Sequence, residues 1–382
     1  MSNCKTLLDL PLEVLDLIFK QLSQSHKLRL AYSHPILADA FVYHVGDLFK
    51  RVDLDVVPPQ DCLLILRLCG PSILEIDTWC YFYTNIPIFE LIQRYCTNLQ
   101  FFKSRVDRNN VTAIASLVQK SESLKSIHLS FLDHKLADIP DIEYIMNVLV
   151  QLRPLRKLKL EVVPDTKFHL IKQYVNLEEL DISGSCYRFV NTNIFEMCAP
   201  LIKLRSLRVS SCNVTKPFRD DGVSFPLLEN LRVDNCNISQ EFPFFPRLKS
   251  VKIENWNDWR YQNLEAWLRK LGNTLQEVVL QVNFFCEPIM LSLLRSCRKL
   301  RYLYVQPKVF CTISKTGMSL FVDILKERGF TPDNPFKLTI IGYKRFWDDD
   351  QDLLESAKVF EEEPTSELLR CTSYLTDAHL FK

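Results

Sequence analysis

The stretch LRSLRVSSCN, residues 204–213, decides the fold of this 382-residue chain. It contains the phrase L-x-x-L-x-L, in which Ile, Val or Phe can replace Leu, and the phrase recurs along the sequence. Clear copies begin at residues 124, 155, 177, 204, 228, 248, 275 and 300, and weaker ones begin at 49, 73 and 99. Eight intervals separate the copies that begin at 99 and 300, so the period is about 25 residues. Such a period indicates an array of stacked units.

The segments between the phrases carry apolar residues three and four positions apart, which is typical of amphipathic helices. The clearest of these segments are residues 111–120, 142–152, 263–271 and 288–297. Each unit is therefore predicted to contain a strand, a turn and a helix. One unit cannot bury its own apolar face, so neighbouring units must stack.

Two sequence features refine this unit. Asn or Cys stands near residues 186, 212 and 236, at a fixed distance after the phrase, where it would turn the chain and bond its free backbone groups. The segment 237–247 has two prolines and no helical period. We expect an irregular stretch there in place of a helix.

The pattern resembles the leucine-rich repeat, whose period is 20–29 residues. It predicts an α/β protein with a small N-terminal helical module and a curved solenoid of about 10–11 repeats, closed by a strand at residues 336–341. The predicted domains are residues 1–48, 49–345 and 346–382. The alternative, a doubly wound α/β domain, needs near-continuous apolar strands and glycine-rich turns. The chain has only 8 Gly, so the repeat is preferred.

Composition argues against several classes of function. The net charge of +1 favours neither a nucleic-acid nor a membrane partner, and no apolar run reaches 18 residues. The 13 Cys include no C-x-x-C pair, and glycine-rich phosphate loops and the usual hydrolase motifs are absent. We therefore expect no catalytic residues, no metal and no cofactor, and a location in the cytoplasm or nucleus.

The N-terminal segment LPLEVLDLIFKQL, residues 10–22, predicts a helix that is apolar on more than one side. Pro11 suits the first helical position, and Glu13 lies near the positive end of the helix dipole. A helix with several apolar sides needs more than one packing partner.

Residues 7–45 resemble the F-box, a helical module that docks on the adaptor of SCF-type ubiquitin ligases and so reaches a cullin. F-box modules followed by leucine-rich repeats form a known family of substrate receptors. The resemblance assigns adaptor binding to nine residues: Leu10, Pro11, Glu13, Val14, Leu15, Ile18, Phe19, Leu22 and Leu28. The alternative is a helical cap that covers the first repeat and recruits nothing.

Residues that alternate with the phrase positions should lie on the concave face, because strand side chains alternate. The predicted substrate-binding residues are Lys159, Arg208, Arg232, Asp234, Lys252, Glu254, Tyr302 and Tyr304. The mixed charges suit a polar protein segment better than a phosphate backbone, and the tyrosines would add aromatic anchors. A solvated face that binds nothing is the alternative. Trp256 and Trp259 follow a strand end and form a second candidate contact, whereas Trp267 has the spacing of a core residue.

The last 37 residues, 346–382, contain ten acidic and three basic side chains. Such a composition is typical of a solvated tail. A sharper hypothesis is that the tail folds back on Arg208, Arg232 and Lys252 and gates the concave face.

These features predict a non-catalytic, substrate-recognition component of an SCF ubiquitin ligase. It would hold the adaptor through the F-box and an unknown target protein through the repeats, and so promote ubiquitination and degradation of that target. The alternative is a leucine-rich-repeat scaffold with no ubiquitin role.

Overall fold

The computed structural model describes residues 6–79, 87–131, 142–163, 165–184, 190–191, 193–214, 225–238, 242–254, 261–310, 314–343 and 369–376. The chain forms two compact units, Met1–Glu161 and Val162–Lys382. The division at Glu161 falls inside the predicted repeat region. No helix among the described residues has the length and apolar content needed to cross a bilayer.

The first unit begins with a short 3-10 helix and three α-helices: Leu7–Asp9, α1 (Leu12–Gln21), α2 (Gln24–Ser33) and α3 (Pro35–Val45). Pro11 is the N-cap of α1, one position before the first helical position that the sequence pattern predicts for it. The core of this module contains Phe19 and Phe41, whose ring centroids are 5.7 Å apart. The His44 ring nitrogens Nδ1 and Nε2 form hydrogen bonds with Asp16 and Lys27, at 2.6 and 3.1 Å.

The rest of the first unit alternates strands and helices. The strands are β1 (Arg51–Asp53), β2 (Glu75–Thr78), β3 (Phe101–Val106), β4 (Ser126–Phe131) and β5 (Lys157–Glu161). The helices are α4 (Pro59–Cys69), a short 3-10 helix (Gly70–Ser72), α5 (Ile88–Tyr95), α6 (Val111–Lys120) and α7 (Ile142–Gln151). The five strands pair in parallel and in chain order. The helical module packs on α4, and Ser25 donates a hydrogen bond to Asp61 at 3.0 Å.

The second unit contains two parallel sheets. The larger comprises β6 (Glu179–Ser183), β8 (Ser206–Ser210), β10 (Asn230–Asp234), β12 (Ser250–Glu254), β13 (Glu277–Phe285), β14 (Tyr302–Phe310), β15 (Phe336–Tyr343) and β16 (Leu369–Thr376). The smaller comprises β7 (Val190–Asn191), β9 (Cys212–Val214) and β11 (Asn237–Ile238). The helices are a 3-10 helix, Asp165–Gln173, and α8 (Ile194–Cys198), α9 (Tyr261–Lys270), α10 (Glu287–Ser296) and α11 (Lys315–Glu327).

The strands carry the predicted phrases in register. All eleven phrases form strands, and the second and third phrase positions are buried at each. Leu207, Leu231 and Val251 are aligned on three neighbouring strands and are 0–1% exposed. The prediction of a leucine-rich-repeat architecture is thus confirmed within each unit.

The turn after the strand is built as the sequence predicts at two of its three sites. Ser211 and Asn235 have φ angles of 55° and 47°, which bends the chain out of β8 and β10. The Cys212 and Cys236 thiols then donate to the carbonyls of Ser210 and Asp234, at 3.4 and 3.3 Å. Residue 186 lies outside the described residues.

An aromatic cluster replaces a helix beside β12, as the two prolines in 237–247 predict. Residues 242–249 form no helix, and Phe242 and Phe245 are buried against Trp267, with ring centroids 4.4 and 6.1 Å away. The Trp267 indole donates to the Pro243 carbonyl at 3.0 Å. The prediction that Trp267 belongs to the core is confirmed, because it is 3% exposed. Trp256 and Trp259 lie outside the described residues.

The predicted closing strand, 336–341, is wrong in two respects. β16 pairs in parallel with β15 along its whole length, so β15 is not the last strand. The inward residues of β15 are Leu338 and Ile340, aligned with Leu303 and Val305, one position before those that the phrase implies. Residues 369–376 of the predicted solvated tail thus form a strand, which carries no repeat phrase and was missed for that reason. The proposed gate falls mainly on residues outside the described ranges.

Candidate protein-interaction surfaces

Helix α1 has two apolar sides, one buried and one exposed to solvent. Leu15 and Phe19 are each 1% exposed and pack in the core of the module. Val14 and Leu17 lie one turn apart on the opposite side and are 38% and 58% exposed. We call Val14 and Leu17 the α1 outer face. Helix α3, which packs against α1, adds the exposed side chains of Ile36 and Tyr43.

Six of the nine predicted adaptor-binding residues reach the surface. Pro11, Glu13 and Val14 are exposed, and Leu10, Ile18 and Leu22 are half-buried. The other three, Leu15, Phe19 and Leu28, are at most 1% exposed in this structure, so they lie in the core of the module and not on its surface. They form the interior that holds the three helices together. The sequence shows only which residues are apolar, and Leu17, the most exposed apolar residue of α1, was left out.

The second unit carries a row of alternating charges across β6, β8, β10 and β12. Arg208 lies between Asp181 and Asp234, at 3.5 and 3.6 Å, and Arg232 contacts Glu254 at 2.5 Å. We call Asp181, Arg208, Asp234, Arg232 and Glu254 the charged row. Each of its cations therefore has acidic neighbours on the same face, which agrees with the expected mutual neutralisation.

The charged row is partly desolvated. The arginine side chains are 34% and 38% exposed, and those of Asp234 and Glu254 are 21% and 19% exposed. The buried Nε atoms of Arg208 and Arg232 have no hydrogen-bond partner within the described part of the chain. Groups held in this way are fixed before a partner arrives, which lowers the entropy cost of binding.

The other predicted residues of this face lie beside the charged row. Lys252 is 3.9 Å from Glu277, which accepts a hydrogen bond from Ser250 at 2.8 Å. Tyr302 and Tyr304 are half-buried on β14, and the Tyr304 hydroxyl donates to Gln306 at 3.2 Å. Strand pairing aligns Arg232, Lys252, Val279 and Tyr304 in one line across four strands. The face thus joins fixed charges to aromatic surface.

Lys159, the remaining predicted residue, belongs to the first unit. Its ammonium group lies 2.8 Å from Glu161, and His128 contacts the same carboxylate at 3.2 Å. The contact with His128 is the largest cause that lowers the pKa of Glu161 to about 2; the contact with Lys159 adds to it, and burial opposes both.

Sequence reasoning missed a neighbouring aromatic and cationic group. Lys103 Nζ and the guanidinium of Arg105 lie 4.6 and 5.1 Å from the ring of Trp79, and His128 packs against it at 5.0 Å. Lys103 also pairs with Asp77 at 2.6 Å. The strand register aligns Asp77, Lys103 and His128. Applying strand alternation to the weaker phrases would therefore have found Asp77 and Lys103.

Two chemically distinctive groups of side chains lie in the first unit. Burial raises the pKa of the Cys69 and Cys96 thiols to about 12, which keeps them protonated and poorly nucleophilic. The carboxylates of Asp53, Asp55 and Asp77 lie within 4.8 Å of one another. Lys103 pairs with Asp77, and the Trp79 backbone N–H donates to Asp55 at 2.8 Å. Asp53 accepts a hydrogen bond from the Asp55 backbone N–H at 3.0 Å, and the buried Oδ1 of Asp77 has no hydrogen-bond partner among the residues that the structure describes.

No family model matches this chain. No curated protein matches it either. Several solved structures are similar in fold. A chain of the Rad7 and Elc1 complex in yeast is 13% identical, with 87% of this chain and 88% of that chain covered and a TM-score of 0.46.

This chain also resembles parts of two larger chains. The TLR13–ssRNA13 complex is 13% identical over 82% of this chain and 39% of that chain, with a TM-score of 0.35. The plant peptide hormone receptor RGFR1 in complex with RGF2 is 11% identical over 82% and 49%, with a TM-score of 0.34. This chain spans less than half of either of those two chains.

Replacing Glu161 with Gln should lower the free energy of unfolding by about 1 kcal/mol at neutral pH, as expected for a partly solvated ion pair. A carboxyl whose pKa falls on folding stabilises the protein above its unfolded pKa, near 4.5, and this stabilisation is lost as the pH falls toward 2. The difference between Glu161→Gln and the natural protein should therefore shrink below pH 4.5. Urea unfolding from pH 7 to pH 3 measures it, and a difference independent of pH would contradict the assignment.

Proposed function

We propose that this chain is a substrate-recognition subunit of an SCF-type ubiquitin ligase. Its N-terminal helices bind the ligase adaptor, and its repeat strands bind a target protein. The chain itself performs no chemistry. It raises the local concentration of the target's lysines at the ubiquitin carrier, which accelerates transfer through proximity.

The α1 outer face is the observation that carries this proposal. A helix that only packed within its own module would need one apolar side, and Leu15 and Phe19 supply it. Val14 and Leu17 instead expose a second apolar side to solvent. Exposed apolar side chains that are neighbours on one helix favour a partner helix or groove. The resemblance of residues 7–45 to the F-box supplies the identity of that partner.

Contact of the module with α4 also supports capping of the first repeat. The contacts with α4 come from α2 and α3, whereas the α1 outer face belongs to α1, so the two roles are compatible. The rival function is a leucine-rich-repeat scaffold without a ligase, which would leave the α1 outer face unoccupied by any adaptor.

Co-purification tests the proposal directly. The tagged chain, expressed with the SCF adaptor and cullin, should recover both in a single complex by size exclusion. A parallel purification with Elc1 in place of the SCF adaptor shows whether capture is selective. Absence of the SCF adaptor from the complex, or equal recovery of both adaptors, would contradict the proposal and leave the scaffold.

Reversing two charges of the charged row should remove the target without removing the adaptor. In Arg208→Glu/Arg232→Glu, each new carboxylate faces acidic neighbours, and like charges at such spacing oppose a complementary surface. Proteins that accumulate with the wild-type chain under proteasome inhibition should fall about tenfold with this variant, as expected when one fixed ion pair is lost. Quantitative mass spectrometry measures the change.

Arg205→Glu/Lys249→Glu is the matched control. Arg205 and Lys249 pair with Glu229 outside the charged row, at 3.2 and 2.8 Å, and the change in net charge is the same. Equal loss of the captured proteins in both variants would show that the charged row is not the target surface.

A further inference from the structure

The second unit contains a basic cavity of about 500 Å³ between the end of α10, the start of β14 and the turn after α11. Four cationic side chains line it: Arg298, Lys299, Arg301 and Arg328. Its other polar side chains are the amides of Gln276 and Asn334, and none of the described residues that line it has a carboxylate. Its volume falls within the range of small-molecule sites.

The positive charge accumulates here because of one position in the repeat unit. In earlier repeats a charged residue at this position is neutralised by its neighbours, and here it is not. The residue after the first phrase leucine is Glu178, Arg205, Glu229, Lys249, Gln276 and then Arg301 along the chain. Glu229 pairs with both Arg205 and Lys249. At the next repeat the alternation stops, because Gln276 is neutral.

Arg301 therefore begins a group of unneutralised cations. Among the residues that the structure describes, Arg298, Lys299 and Arg301 have no acidic partner, and all three are exposed. Cations so close together repel one another, which favours an anion that all of them can share.

The fourth cation, Arg328, fixes the wall of the cavity. Its guanidinium donates to the carbonyls of Leu294, Arg298 and Leu300, at 3.2, 2.9 and 2.6 Å. The Leu294 carbonyl is one of those left over at the end of α10, so Arg328 already serves that helix end. The other three cationic side chains do not have this structural role.

We propose that this cavity binds a compact oxyanion that carries three or more negative charges. Guanidinium groups bind phosphate and carboxylate oxygens through paired N–H donors, and the Gln276 and Asn334 amides can donate to the same oxygens. Polyphosphates and polycarboxylates share this chemistry. The site is separate from the α1 outer face and from the charged row, and it does not depend on the ligase proposal.

Isothermal titration of the full chain with tripolyphosphate and with citrate tests the proposal. At least one probe should bind at one site with micromolar affinity, and the tighter one identifies phosphate or carboxylate as the preferred group. Arg301→Gln should lower the affinity for that probe about tenfold, the usual effect of losing one charge-assisted hydrogen bond. Gln276→Glu introduces the acidic residue that stands at the equivalent position 229 and so restores the alternation of charge. It should lower the affinity for that probe at least as much.

Arg205→Gln is the matched control, because it removes the same charge at the equivalent position of an earlier repeat. Its affinity for the probe should equal that of the wild-type chain. The proposal is overturned if neither probe binds, if Arg301→Gln and Gln276→Glu bind as the wild type does, or if Arg205→Gln weakens binding equally. Thermal melts of the four proteins establish that all are folded.

Discussion

Val14→Asp/Leu17→Asp should abolish capture of the SCF adaptor, with a loss of affinity of about 100-fold or more. Two apolar side chains at the centre of a helix interface each contribute enough for such a loss, and a buried carboxylate in their place adds a desolvation cost. Both residues point away from Leu15 and Phe19, so the fold of the module should persist. Biolayer interferometry against the immobilised adaptor measures the affinity, and circular dichroism measures the helix content.

Leu48→Asp/Val56→Asp is the matched control for this experiment. Leu48 and Val56 lie in the same unit, outside the three N-terminal helices, and are 68% and 78% exposed. The control makes the same chemical change at two exposed apolar sites and should bind the adaptor as the wild-type chain does. Equal affinities for all three proteins, or no binding by any of them, would remove the basis for the ligase proposal.

Phe245→Ala should destabilise the second unit by about 3–5 kcal/mol, the usual cost of removing a fully buried phenyl ring. Phe245 is 0% exposed and packs against Phe225 with ring centroids 5.3 Å apart and against Trp267 at 6.1 Å. No helix covers this repeat at residues 242–249, so the aromatic cluster supplies the core that a helix supplies elsewhere. Urea unfolding followed by tryptophan fluorescence measures the loss.

The adjacent residue supplies the control. Phe244 is 50% exposed, so Phe244→Ala removes the same ring with little lost burial and should change the free energy of unfolding by about 0.5 kcal/mol or less. Similar losses for the two variants would show that the cluster does not act as a core.

Much of the repeat architecture was predictable because its physical cause is local and recurrent. A phrase with apolar residues at three fixed positions forms a buried strand wherever it occurs, and four helical segments were placed within two residues of their observed ends. β16 could not be predicted in this way. Its sequence, LRCTSYLT, lacks the phrase, and its strand state depends on pairing with β15.

The candidate surfaces were predicted less completely, since exposure depends on which side of an element faces its neighbours. The charged row follows from strand alternation and was found. Leu15 and Phe19 were assigned to a partner although they are core residues, because an apolar pattern alone does not identify the buried side. Trp79 was missed because it lies just after its strand. The basic cavity depends on Gln276, an uncharged residue that is informative only once its charged equivalents have been aligned.

The separation of buried and exposed positions along each strand has a consequence for how such a protein changes over time. Leu207, Leu231 and Val251 form the buried contacts of neighbouring strands, whereas Arg208, Arg232 and Lys252 alternate with them on the opposite face and are half-buried. Mutations on that face can therefore accumulate without opening a cavity in the apolar core. A lineage can acquire new binding preferences one strand at a time, and a protein engineer can redesign a single strand while leaving its neighbours intact.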